Sequence, residues 1–103
     1  MAEKLTVVAR IRAKPGKEAD VERALLVLVE ATRKEAGCLN YDLHVSHDDP
    51  AVFLFYENWT SKAHLDAHAQ SAHIQVFRAR AGELLAEPVE IKLFRMVSTP
   101  SGT

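Results

Sequence analysis

Three of the five histidines, His64, His68 and His73, fall within ten residues of one another. Imidazole is the side chain best suited to move protons near neutral pH, and it is a frequent metal ligand. His64 and His68 stand four apart, on one helix face, a spacing that two metal ligands can share. A metal centre needs a third ligand, however, and Asp66 between them points elsewhere, so no metal site is expected. His68 and His73 instead fall on the inward stripe of their helical region with Leu65 and Phe77. Such a histidine is either a packed core residue with its hydrogen bonds satisfied or a pocket group that accepts and returns a proton. Glu57 poses a similar choice. It shares a strand face with Phe55 and Trp59, and desolvating a lone carboxylate is costly. Either an arginine of the first or last strand pairs with it, or it is the polar anchor of an aromatic pocket.

Asn40 and Tyr41 are hydrogen-bonding groups near the start of another strand, and the hairpin register does not say which of them faces Glu57. Cys38 follows Gly37 with no neighbouring base in the sequence, which fits a buried structural thiol rather than a nucleophile. The four glycines are scattered, so no phosphate-cradling loop exists, and no Gly-x-Ser-x-Gly elbow is present.

The elements that must position these groups follow from periodicity. Leu5, Val7, Ala9 and Ile11 alternate as a first strand, which Lys14-Pro15-Gly16 ends with turn chemistry. A helix begins among Glu18, Asp20 and Glu22, buries Val21, Ala24, Leu25, Leu28 and Thr32, and ends with Arg33 and Lys34 before an αL stop at Gly37. Leu39, Tyr41, Leu43 and Val45 alternate as a second strand, and Ser46-His47-Asp48-Asp49-Pro50 is a polar hairpin loop. A third strand spans 52–59. Thr60 or Ser61 caps a helix holding Leu65 and His68, and Ser71 caps a restart around Ile74, Phe77, Ala81 and Leu84. Pro88 closes that helix, 89–97 alternates as a fourth strand, and 98–103 reads as a frayed tail.

The order β-α-β-β-α-β is the ferredoxin-like pattern, an α+β fold with an antiparallel sheet. The 103 residues suit one domain, with a core from about 4 to 97, and a chain this short buries only about two thirds of its unfolded surface. The third strand is apolar at each of positions 52–56, so both of its faces should be covered. Helices cover one face of the sheet, and a second copy of the chain is the economical cover for the other, giving a homodimer. A net charge of −1 argues against a nucleic-acid partner. No apolar run approaches the roughly 20 residues that span a bilayer, and the opening Met1-Ala2-Glu3-Lys4 lacks the layout of a signal peptide. One cysteine permits no intrachain disulfide, which fits a reducing cytoplasm.

The residues also resemble the antibiotic biosynthesis monooxygenase (ABM) family, especially its small quinol-monooxygenase-like members. The matching stretches are Glu35-Ala-Gly-Cys-Leu-Asn-Tyr-Asp-Leu-His44, Asp49-Pro50 and Phe53-Leu-Phe-Tyr-Glu-Asn-Trp59, then Ala63-His-Leu-Asp-Ala-His68 and Ser71-Ala-His73 through Phe77. The resemblance implies a dimeric α+β barrel. It implies an enzyme that oxidises a small quinol or phenol with molecular oxygen, without metal, flavin or haem. Trp59 matches a tryptophan that such members place in their pocket. On this reading His68 and His73 are the proton-transfer candidates, Phe53, Phe55, Trp59 and Phe77 are pocket walls, and Asn40 and Glu57 are polar anchors. Arg78 falls near an arginine of an aromatic-polyketide branch, but that arginine's asparagine and tyrosine partners correspond to Phe55 and Leu65. Arg78 also stands where haem-degrading members carry their iron-ligating histidine, and His68 where they carry a tryptophan, which speaks against haem. Two alternatives stay open: a dimeric module that binds a small aromatic ligand without turnover, and an isomerase of signalling molecules.

Overall fold

The computed structural model describes residues 4–102; the opening residues 1–3 and the last residue of the expected tail lie outside that range. The elements run β1 (Leu5–Arg12), α1 (Glu18–Thr32), β2 (Cys38–Val45), β3 (Val52–Trp59), α2 (Lys62–Ala69), α3 (Ala72–Leu84) and β4 (Glu90–Phe94). The strands form one antiparallel sheet in the order β2-β3-β1-β4, the ferredoxin-like α+β arrangement that the element order predicts.

The pairing register decides which side chains meet. Glu57 stands opposite Val7 on β1 and Tyr41 on β2, and Phe55 stands opposite Ala9 and Leu43. Because side chains alternate along a strand, these residues share the face that the helices cover. The next set, Thr6, Asn58 and Asn40, faces the other way, and there Thr6 Oγ1 donates to Asn58 Oδ1 while Asn58 Nδ2 donates to Asn40 Oδ1 at 2.9 Å.

A β-bulge between Cys38 and Asn40 sets two residues of β2 against one step of β3. Leu39 is the extra residue, and it is exposed rather than inward with Tyr41 as the alternation predicts. The bulge keeps Cys38 opposite Trp59 while Tyr41 comes opposite Glu57.

Helix α1 buries Val21, Leu25, Leu28 and Thr32 as its spacing dictates, and adds Val29. Full burial of an aliphatic side chain stabilises by about 1.5–3 kcal/mol, so this stripe fixes α1 across the sheet. No side chain caps its start, but Glu18 and Asp20 lie in the first turn, where the dipole favours acids. Beyond its C-terminus Gly37 adopts φ +81°, and a β-carbon there would fall 2.2 Å from the His64 ring. Ser61 caps α2 by accepting from the His64 amide, and Ser71 caps α3 by accepting from the Ile74 amide. Strand β4 is shorter than the expected 89–97 because it pairs only with β1, as an edge strand, and all five of its residues are exposed.

Candidate active site

A cavity of about 390 Å³ lies between the sheet and the helices, in the size range of small-molecule sites. The sheet contributes Tyr41, Phe55 and Glu57, and the helices contribute His68 and Phe77; Lys62, Asp66 and Arg78 are the other charged groups of the lining.

Glu57 is 4% exposed, and its Oε1 accepts a hydrogen bond of 2.9 Å from Trp59 Nε1. Burial pushes its carboxyl up to about 7, with the indole bond opposing and the charge of Glu35 adding. No arginine among the described residues pairs with it. Arg10 and Arg12 project from the opposite face of β1 and bind Glu87 and Asp49 instead, so the ion pair weighed from the sequence does not form.

His68 is a second buried ionisable group of the wall. Its Nδ1 lies 2.7 Å from Glu35 Oε2, and His73 Nε2 lies 2.7 Å from the same oxygen. A carboxylate oxygen accepts, so both imidazoles donate to it, and the tautomer of each ring follows. For His68 this places the proton on Nδ1 and leaves Nε2 as an acceptor that bonds to no other described residue. Burial lowers the His68 pKa below the ordinary histidine value, while the bond to Glu35 works in the opposite direction. The ring is held on two further sides, by Trp59 at 4.8 Å and by Tyr41 edge-on at 5.4 Å, and Tyr41 stacks on Phe55 at 4.4 Å. Burial raises the Tyr41 hydroxyl pKa, so that phenol stays protonated.

The convergence of His68 and His73 depends on the break between α2 and α3. Five residues apart on one continuous helix they would point about 140° apart. Ser71 turns the chain instead, donating from Oγ to the His68 carbonyl while capping α3.

Of the eight residues expected to form the site, Phe55, Glu57, His68 and Phe77 line the cavity. Phe53 and Trp59 are buried in the core, and Trp59 acts on the cavity through Glu57 and His68. His73 reaches His68 through Glu35. Asn40 is a correction. Its side chain lies on the opposite sheet face, donating to the Tyr56 carbonyl at 3.1 Å and accepting from Asn58, because the register gives Tyr41, not Asn40, the face of Glu57. His64 does not join His68; its Nδ1 lies 2.8 Å from Ser61 Oγ. The residue that sequence reasoning missed is Glu35. The available signal was its charge, since an acid at a helix exit opposes the dipole where Arg33 and Lys34 suit it, and such a residue needs another reason to be there. Glu35 also supplies the third ligand type that the sequence reading did not find beside the histidines: Glu35, His68 and His73 are a group among the described residues with the types and proximity to hold a metal ion.

Comparison with known proteins points one way. The chain is 36% identical over 91 residues to "Putative monooxygenase Rv0793" of Mycobacterium tuberculosis, covering 88% of this chain and 89% of that protein. It is 30% identical over 99 residues to "Probable quinol monooxygenase YgiN" of Escherichia coli, covering 84% and 94%. An uncharacterised Synechocystis protein, sll1783, is 32% identical over 92% of this chain, which spans only 65% of that protein's length. Among solved structures, PA3566 of Pseudomonas aeruginosa superposes with a TM-score of 0.90 at 37% identity, covering 95% of this chain and 98% of that one. Rv0793 superposes with a TM-score of 0.88 at 32% identity, covering 95% and 99%. The family model for antibiotic biosynthesis monooxygenases matches residues 4–80, and the chain belongs to that family.

Proposed function

We propose that the protein is a monooxygenase that oxidises a small quinol or phenol with molecular oxygen and without a resident cofactor. The observation that carries this reading is the Glu35–His68 pair at the wall of an aromatic cavity. Glu35 fixes the His68 tautomer, so Nε2 is the nitrogen available to accept a proton from a bound hydroxyl. Deprotonation makes the ring electron-rich enough to pass an electron to oxygen, and recombination at a ring carbon forms the new C–O bond. For a hydroquinone the balance is one quinol plus one O₂ giving one hydroxyquinone plus one water. The protein supplies a largely apolar pocket, a positioned base and an orienting wall, and Glu57 and Asp66 are acids on that wall. The monooxygenase and quinol names of the relatives support the same reading.

The active form in this reading is a homodimer in the cytoplasm. The sheet face opposite the helices carries half-buried Val8 and Leu54 and exposed Tyr56 around the Asn58–Asn40 pair, a mixed surface that a second sheet can cover. No helix among the described residues is long and apolar enough to cross a membrane.

Oxygen uptake over a panel of quinols tests the reaction. His68→Asn should lower the rate by about a hundredfold or more, the usual cost of removing a positioned base. Quinols that raise the melting temperature yet consume no oxygen in any condition would show a binding module instead. Light scattering at micromolar concentration should report twice the chain mass, and a folded monomer there would refute the dimer.

A further inference from the structure

Glu35, His68 and His73 come from three separate segments: the exit of α1, the last turn of α2 and the first turn of α3. Their candidate ligand atoms nonetheless lie within 4.8 Å of one another. Glu35 Oε2 is the hub, 2.7 Å from each histidine, and the side chains of Glu35, His68 and His73 are only 17%, 8% and 21% exposed. No lysine or arginine pairs with this carboxylate among the described residues, so two imidazoles alone answer its charge. Two histidines and a carboxylate are a ligand set for zinc and related divalent ions, at about 2.0–2.2 Å. Spreading each bonded pair from 2.7 Å to about 3.3 Å, and bringing the two ring nitrogens from within 4.8 Å to a similar separation, seats an ion at those distances with a water completing the tetrahedron.

We infer that Glu35, His68 and His73 form a site for a divalent transition ion behind the cavity wall, facing His68 Nδ1 rather than the cavity. One nitrogen then has two alternative occupants. With a proton on Nδ1, the Nε2 of His68 is an acceptor. With an ion on Nδ1, the ring proton moves to Nε2, and the same nitrogen becomes a donor. The ion therefore switches off the base without touching the cavity; this consequence rests on the proposed reaction, whereas binding of the ion does not.

The test uses untagged protein stripped with a chelator and titrated with Co²⁺ alone, read by visible absorption and calorimetry. Wild type is compared with Glu35→Gln, His73→Asn and, as a control, His47→Asn in the exposed hairpin. The expected result is one Co²⁺ per chain with visible d–d bands, displaced by Zn²⁺ and retained in His47→Asn. Binding should weaken by more than about tenfold in the other two, since even outer partners of a metal cost that much. Circular dichroism of the metal-free variants checks folding, and if Glu35→Gln fails to fold, the more exposed His73→Asn decides. Absence of stoichiometric binding, or binding that both substitutions leave intact, overturns the site. Zn²⁺ should also abolish oxygen uptake with quinols. If the ion binds as described and turnover continues, the site stands and the assignment of His68 as the base fails.

Discussion

Glu57→Gln should make the protein more stable at alkaline pH than at acid pH relative to wild type, and the size of that difference follows from burial. In the fold the Glu57 carboxyl keeps its proton up to about 7, against an ordinary value of 4.5. The folded state therefore binds this proton more tightly than the unfolded chain does. Stability from this group is fully present below the unfolded value and is lost as pH rises towards the folded one. Each pH unit in that window removes about 1.4 kcal/mol, so wild type gives up about 3 kcal/mol between pH 4.5 and 7 through this residue. Glutamine cannot ionise, yet its carbonyl oxygen can still accept from Trp59 Nε1. Any cost of presenting an amide to the cavity is independent of pH and cancels when the two profiles are compared. The assay is urea unfolding of both proteins at matched concentration from pH 4 to 8.5. The gap between variant and wild type should widen by about 3 kcal/mol in favour of the variant, most of it between pH 4.5 and 7. A gap that stays constant, or that moves in favour of wild type as pH rises, would refute the claim that Glu57 is a desolvated acid without a cationic partner.

Trp59→Phe removes the donor to Glu57; unfolding measurements should show a loss of at least about 1–3 kcal/mol for the orphaned carboxyl, and NMR titration should show its pKa rising further, because the indole bond holds it down. Gly37→Ala forces a side chain into a φ of +81° and onto the His64 side chain, so it should cost more than about 1 kcal/mol; adding His64→Ala should recover only the ring contact, because the β-carbon at position 64 would still lie 2.5 Å from the new one, and a double-variant cycle in urea should show the rest of the cost persisting. The neighbours Leu25 and Leu26 give a calibrated pair. Leu25 is fully buried and Leu26 is 48% exposed, so Leu25→Ala should cost about 2–5 kcal/mol and Leu26→Ala within about 0.5 kcal/mol by the same assay.

Much of this architecture is written in local patterns. Strand alternation in β1, the apolar stripe of α1, the paired caps at Ser61 and Ser71 and the glycine exit at Gly37 each signal their element through a few neighbouring residues. The site is less legible because its parts are joined across the chain. Glu57 and His68 are readable as polar residues on apolar faces, but what each binds is set by residues elsewhere in space. For Glu57 the partner is local, Trp59 two residues away on the same face, and what the pattern leaves open is that no arginine from a neighbouring strand joins it. For His68 it is Glu35, thirty-three positions earlier, and periodicity carries no information over that separation. Which of Asn40 and Tyr41 faces Glu57 is hidden for a related reason: a bulge one step before Asn40 shifts the pairing of β2, and a bulge has no reliable signature in a single sequence.

The strict alternation of β3 also makes this site intolerant of a particular class of genetic change. Adding or deleting one codon between Phe53 and Glu57 exchanges the two faces for the residues beyond it. Glu57 would then leave the cavity for the opposite side, and Tyr56 or Asn58, according to the direction of the slip, would turn inward among the helices. The cavity wall would lose its buried acid even though every amino acid that lines it were still encoded. The β2–β3 connection, residues 46–51, lies outside the ladder between those strands, so length variation is absorbed there without moving Glu57 relative to His68. In a library of single-codon insertions and deletions, survivors should therefore accumulate in the hairpin and be depleted from 53–57.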